Sequence, residues 1–276
     1  MLGFSRKTKD RAFILLIGLL TFLMVFPLFH IIFTVFIKGS SVLMERGVKF
    51  LIETRSEGGI GPAIAGTLLL VALSSIIGIP LAFLVGIFIS EYPESKIGQW
   101  TKTLLQTMME FPTILIGVFV MQILVVPMGH YSAIAGAMAL VIVMAPYIAV
   151  YTAEALREIP FTYKEAAYSI GLTRFSVCFR VLVPMAKKGI LTGVLISIAR
   201  IAGETAPLLF TIGGLYESYP SSVSQPVGAI SPLIYQLIQS PSPQDHAMAW
   251  GASLILLLIF LMIFIPVRLS IKEVRL

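Results

Sequence analysis

Two side chains in this sequence have a clear capacity to act on an ion. Arg200 and Glu204 lie in Arg-Ile-Ala-Gly-Glu-Thr-Ala-Pro (200–207), inside a run that is otherwise apolar. Residues four apart share one helix face and can pair. A guanidinium binds an oxyanion through two parallel hydrogen bonds. Arg200 stands twelve residues beyond Lys188, which is about 18 Å along a helix. A charge near the bilayer centre costs about 2.5–3.5 kcal/mol on insertion scales and normally faces the bundle interior or a water-filled path. Arg200, Gly203, Glu204 and Thr205 are therefore candidates for the lining of an anion path, with Gly203 allowing close approach. A second reading stays open, in which the pair is permanently buried and only fixes helix packing.

Glu110, before Phe111-Pro112-Thr113, is either a second in-membrane charge or the mark of a span's inner end. Glu110, Pro112 and Thr113 form a possible gate. As one helix the run from Ile97 to Pro127 would be about 46 Å long, more than the hydrocarbon core of about 30 Å. The preferred placement puts Glu110 at the inner end of that span. Other chemistry is sparse. The single cysteine, Cys178, excludes an intrachain disulfide and a cysteine-rich metal site. His30, His130 and His246 have no metal-ligand spacing, so no metal site is expected. No Gly-x-x-x-x-Gly-Lys-Ser/Thr pattern occurs, so the chain is expected neither to bind a cofactor nor to hydrolyse ATP itself.

These residues must be positioned by membrane helices. The 276 residues are 57% hydrophobic and 12% charged, against roughly 25% charged in soluble domains. That leaves too little polar surface for a soluble body. Charge-poor runs long enough to cross a bilayer occur at Ala12–Ile37, Pro62–Ser90, Thr103–Pro127, Ala133–Ala153, Gly189–Ile212 and Ala247–Val267. The first is too long for a signal-peptide core. An all-α, polytopic bundle of about six spans follows.

Basic residues orient it. Arg6, Lys7, Lys9 and Arg11 precede the first span, Lys96 and Lys102 follow the second, and Arg157, Lys164, Arg174, Arg180, Lys187 and Lys188 follow the fourth. Arg268, Lys272 and Arg275 close the chain, while 129–132 and 213–246 hold no Lys or Arg. The positive-inside rule places both termini in the cytoplasm. The net charge of +6 is this signature and not a nucleic-acid surface. The segments 38–61 and 213–246 then face outside, as linkers or docking surfaces, with a short helix near Pro232–Gln239.

The longest inside loop carries its own pattern. Thr162 can cap a short helix, with Glu165 as the other half of a capping box. Ala166 and Ala167 leave a low-relief surface for another protein, and Gly171 can end the helix in the left-handed conformation. Val183-Pro184 then leads back to the bilayer. The spacing Glu165-Ala166-Ala167, three residues, Gly171, nine residues, Val181, one residue, Val183-Pro184 resembles the EAA loop of bacterial ABC-importer permeases. In that family the loop is a coupling helix seated in the cytoplasmic ATPase. The resemblance makes Glu165, Ala166, Ala167, Gly171 and Pro184 the candidate ATPase-coupling residues.

Residues 200–211, together with Gly61-Pro62-Ala63-Ile64-Ala65-Gly66-Thr67, Gly78-Ile79-Pro80 and Glu91-Tyr92, resemble more narrowly the PstA-type permeases of phosphate-specific importers. Phe111-Pro112-Thr113 departs mildly from the Pro-Ser common there. The resemblance implies a type I, MetI-like permease fold and a plasma-membrane location. It also implies a second homologous permease (PstC-like), an ATPase dimer (PstB-like) that uses ATP and Mg, and an external phosphate-binding protein (PstS-like). The expected organisation is a first span and external loop (1–61), a permease domain (62–267) with the coupling loop at 154–188, and a carboxyl tail (268–276). Sulfate, molybdate or tungstate are alternative cargoes. An ion-coupled secondary transporter would show inverted repeats, which are not seen. A non-transporting scaffold would not need the docking loop.

Overall fold

The computed structural model describes residues 6–270. The tail residues 271–276, with Lys272 and Arg275, lie outside the described residues. Helix α1 (Arg6–Arg46) leads into the short α2 (Lys49–Ile52) and the long α3 (Gly61–Glu91). Next come α4 (Lys96–Met109), α5 (Thr113–Val120), a π-helical turn (Met121–Val125) and α6 (Val126–Met128). Helix α7 (Ala133–Arg157) precedes the loop helix α8 (Phe161–Ser169). One continuous rod follows, made of α9 (Arg174–Ser176), a second π-helical turn (Val177–Leu182) and α10 (Val183–Ala202). Helices α11 (Ala206–Leu209), α12 (Ile230–Gln239) and α13 (Pro243–Ser270) complete the chain. Among the described residues the one β-type pairing is a bridge between Gly213 and Val227.

Among the described residues, five helices are long and apolar enough to cross a membrane, and six if the bent pair α4 and α5–α6 forms one span. That pair bends by 105°. The third span is thus not one straight helix from Thr103 to Pro127. The fifth also differs from the expected Gly189–Ile212, because the rod begins at Arg174 and stops at Ala202. Both π turns lie just before a proline, Pro127 and Pro184. A proline ring clashes with the carbonyl four residues back and withholds an N–H. Widening the preceding turn lets the helix run through it. Pro184 therefore sits inside the rod and not in a loop returning to the membrane.

Helix α7 is the centre, buried along most of its length and packed between α3 and α10. Small residues set these contacts. A side chain at Gly86 would meet the Ala149 carbonyl and Thr152, and one at Gly78 would meet Met144. Gly189 lies against Ala155 and Gly193 against Tyr151, so α10 runs antiparallel to α7. Helix α1 packs on α13 through its second half, where Gly39 abuts Trp250 and Leu254 and the Lys38 ammonium lies 4.8 Å from the Trp250 ring centre. Its first half, Phe13 to Phe29, exposes its large apolar side chains.

The segments expected as linkers or docking loops build one cap at the end opposite α8. Phe50, Ile60, Tyr216, Ile230, Leu233 and Leu237 are buried together. Ser56 N–H donates to the Glu217 carboxylate at 3.1 Å, and the Tyr219 hydroxyl to the Ile52 carbonyl at 2.5 Å. The short helix expected near Pro232–Gln239 is α12. Burial pushes the Tyr216 hydroxyl from its ordinary 10.0 up to about 12, with Ala229 backbone and Arg55 pulling weakly the other way. The unfolded chain loses this proton first, so the cap's stability is level below pH 10 and falls as pH rises toward 12. The full loss is about 2–3 kcal/mol. Thermal unfolding of the solubilised protein across that range should show the slope, and Tyr216→Phe should remove it.

Candidate functional site

Arg200 lies in the last turn of α10, and Glu204 just beyond its end. The stop has a local cause. In a continuing helix the N–H of residue 207 would bond the Gly203 carbonyl, but Pro207 has none. Ser231, in the first turn of α12, takes over: its hydroxyl lies 3.1 Å from the Gly203 carbonyl and 2.9 Å from that of Glu204. Thr205 hydrogen-bonds the Ser231 hydroxyl. Ser231 has one proton for two carbonyls, so Thr205 is the donor in that contact.

Arg200 Nε is 3.6 Å from Glu204 Oε1, and the side chains are 37% and 12% exposed. On this chain alone the pair is loose, with more than a third of the Arg200 side chain exposed. The Tyr147 ring, midway along α7, lies 4.9 Å from the guanidinium carbon, within cation–π range. With α10 aligned as Gly189–Ala155 and Gly193–Tyr151, this is the middle depth of the bundle. The structure thus brings Arg200 and Glu204 together and places Thr205 in the Ser231 network behind them. Gly203 points elsewhere, into an apolar pocket of about 280 Å³ lined by Ala199, Ala202, Ile234, Ser253 and Phe260. Sequence reasoning missed Tyr147 and Ser231. Tyr147 has a phenol beside Pro146 in an apolar run, but no spacing in the sequence links it to Arg200.

The possible gate sits at the elbow. Glu110 caps the end of α4, Pro112 precedes α5, and Thr113 is its first residue. The Tyr147 hydroxyl donates to the Met109 carbonyl at 3.2 Å. The elbow is therefore tied to the middle of α7. The run is not one straight helix but bends by 105° between α4 and α5. Glu110, Phe111 and Pro112 are exposed on the free chain.

The coupling loop forms α8, but its start differs. Pro160 occupies the cap position with no side-chain cap, and Thr162 and Glu165 lie inside the helix, so no capping box forms. Proline is well suited to this position because its ring presets the dihedral and its missing N–H is not needed. The end matches the expectation. Gly171 has φ +81°, Gly171 N–H bonds the Tyr168 carbonyl at 2.9 Å, and Leu172 N–H bonds the Ala167 carbonyl at 3.3 Å. This is a Schellman stop.

Glu165 and Ala166 are exposed, whereas Ala167 is buried at 6% against Leu156, Val177, Leu182, Ala186 and Ile190. Ala167 therefore seats α8 on its own bundle and is not part of an outward surface. Lys164 Nζ bonds Glu91 Oε1 at 2.7 Å, and Arg157 donates to the Ile89 carbonyl at 2.9 Å. These contacts fasten the loop to the end of α3. A cleft of about 480 Å³ beside them is rimmed by Phe88, Tyr92, Phe161, Tyr168, Phe175 and Phe179.

Comparison with known proteins places this geometry. Residues 78–276 match the family described as binding-protein-dependent transport system inner membrane component. A probable phosphate transport system permease protein PstA of Methanocaldococcus jannaschii is 59% identical over 268 residues, covering 97% of this chain and 95% of the relative. The phosphate transport system permease protein PstA of Pasteurella multocida is 37% identical, covering 95% and 96%. Two solved structures share the fold. A chain of a bacterial ABC transporter involved in import of the acidic polysaccharide alginate superposes with TM-score 0.67 at 18% identity, covering 97% of this chain and all (100%) of that one. A chain of the inward-facing MetNI methionine ABC transporter gives TM-score 0.58 at 20% identity, covering 78% and 95%. An all-helical bundle with a fastened loop helix, a family match from Gly78 onward and full-length likeness to PstA permeases lead to one assignment: this chain belongs to the inner-membrane components of binding-protein-dependent transport systems, in their PstA branch.

Proposed function

We propose that the chain is the permease subunit that passes inorganic phosphate across the cell membrane, driven by a separate ATPase. The observation that carries this is Arg200, half-exposed at middle depth where α10 breaks, with its Nε loosely held by Glu204. A guanidinium so placed offers its two terminal amino groups to a tetrahedral oxyanion. The full-length likeness to proteins named as phosphate permeases selects phosphate among oxyanions.

Both termini lie in the cytoplasm in this reading, as the basic loops require. Glu165, Ala166 and the Gly171 stop then present α8 to a PstB-like ATPase dimer, with ATP and Mg bound there. A PstC-like permease completes the path, and a PstS-like binding protein delivers phosphate to the opposite cap. Closing of the ATPase pair moves α8. The Lys164–Glu91 contact and the buried Ala167 pass that motion to α3 and α10.

The test is ATP-dependent uptake of labelled phosphate into proteoliposomes holding the four-part complex, with sulfate and molybdate as competitors. Saturable uptake that neither competitor reduces supports the reading. Uptake carried instead by another oxyanion discards phosphate, and no ATP-dependent uptake by an assembled complex discards the permease role.

A further inference from the structure

The Met109 carbonyl is one of those that a helix end leaves without an intrahelical donor. A continuing helix would supply the N–H of Thr113, which the 105° bend carries away. Tyr147 of α7 supplies the donor instead. The ring of the same tyrosine lies against the Arg200 guanidinium. One side chain thus touches both interrupted helices of the bundle, α4–α5 and α10–α11. It sits beside Pro146, which removes a backbone hydrogen bond from α7 at the same turn. A space-filling aromatic would need neither contact.

We infer that Tyr147 is a positioning residue that ties the α4–α5 elbow to Arg200, so that the elbow opens and the guanidinium turns toward the anion as one event. This rests on the phosphate-permease reading of Arg200. Ring and hydroxyl have separable roles. The ring holds the guanidinium by its quadrupole and so governs how well the anion is held. The hydroxyl holds the elbow shut and so governs how often it opens without an anion.

The experiment compares the parental complex with Tyr147→Phe and Tyr147→Leu in proteoliposomes at matched assembly. It reads phosphate uptake, ATP hydrolysis without phosphate, and reagent labelling of an Ile116→Cys thiol, at a position buried in α5 while the elbow is shut, in a Cys178→Ser background. Tyr147→Phe should leave the KM for phosphate within about twofold, because the ring remains. It should raise thiol labelling and phosphate-independent hydrolysis by about three- to tenfold, the worth of one hydrogen bond. Tyr147→Leu should add a rise in KM of about fivefold. Parental labelling and hydrolysis in Tyr147→Phe overturn the tie, as does an equal KM rise in both variants. If Tyr147→Leu fails to assemble, Tyr147→Phe, which fills the same space, carries the test. A parental complex that takes up no phosphate overturns the proposed function instead, and thiol labelling still reports on the tie.

Discussion

Arg200→Gln should abolish phosphate uptake, by at least about a hundredfold, in a complex that assembles and sits in the membrane normally. Two hydrogen bonds from a charged donor to an oxyanion contribute about 3–6 kcal/mol together. Glutamine keeps a polar side chain, two bonds shorter, but offers neither the charge nor the fork. The stability cost should be small. The Arg200–Glu204 pair is 3.6 Å apart and over a third of Arg200 is exposed, so solvent screens it to about 1 kcal/mol or less. This is where the path and packing readings separate. A sealed pair broken on one side would cost about 3–5 kcal/mol and reduce the amount of assembled complex before any effect on transport. Arg200→Lys should fall between the two proteins, since an ammonium keeps the charge and loses the fork. Uptake at matched assembly, with thermal stability measured alongside, decides the matter. Unchanged uptake by Arg200→Gln would remove Arg200 from the path.

Much of this arrangement can be read from residue type and spacing alone. A charge-poor run of about 20 residues becomes a helix in lipid, because a helix satisfies its backbone polar groups within the segment, and so the spans are legible. Gly171 is legible too, since few residues other than glycine end a helix with positive φ. What escapes is decided by contacts between distant segments. The stop of α10 at Ala202 depends on Pro207, which is visible, and on Ser231, which is not, because only the fold brings α12 to Gly203. The run 97–127 announces a length problem, and two remedies are physically available: a charge at the surface or a bend. The structure takes the bend, and the donor for the carbonyl it frees, Tyr147, lies 38 residues away where no local pattern points to it. Ala167 shows the same limit. A small residue suits either an outward docking face or an inward seat, and only its burial against Val177 and Leu182 selects the seat.

Gly171→Val should uncouple the transporter while leaving it in the membrane. The position is chosen by backbone geometry and not by crowding: φ is +81° and no atom lies within 4 Å of where a side chain would begin. A β-branched residue has room there but is held in a conformation it disfavours by about 1–2 kcal/mol or more. The Schellman stop then opens, freeing the Tyr168 and Ala167 carbonyls, and the end of α8 loses its fixed exit angle. The transmembrane helices need not change, because Lys164–Glu91 and the buried Ala167 hold the other side of α8. Uptake should fall by more than about tenfold at matched assembly, with ATP hydrolysis by the complex retained but no longer raised by phosphate. A strain of this size on a helix that must seat in a partner is enough for that change. Gly171→Asn is the control, since asparagine adopts the left-handed conformation more readily, and it should keep most of the uptake. Equal uptake by the Val variant and the parent would show that α8 transmits nothing through this end. Equal losses in Val and Asn variants would show that the bare glycine surface matters, not the stop.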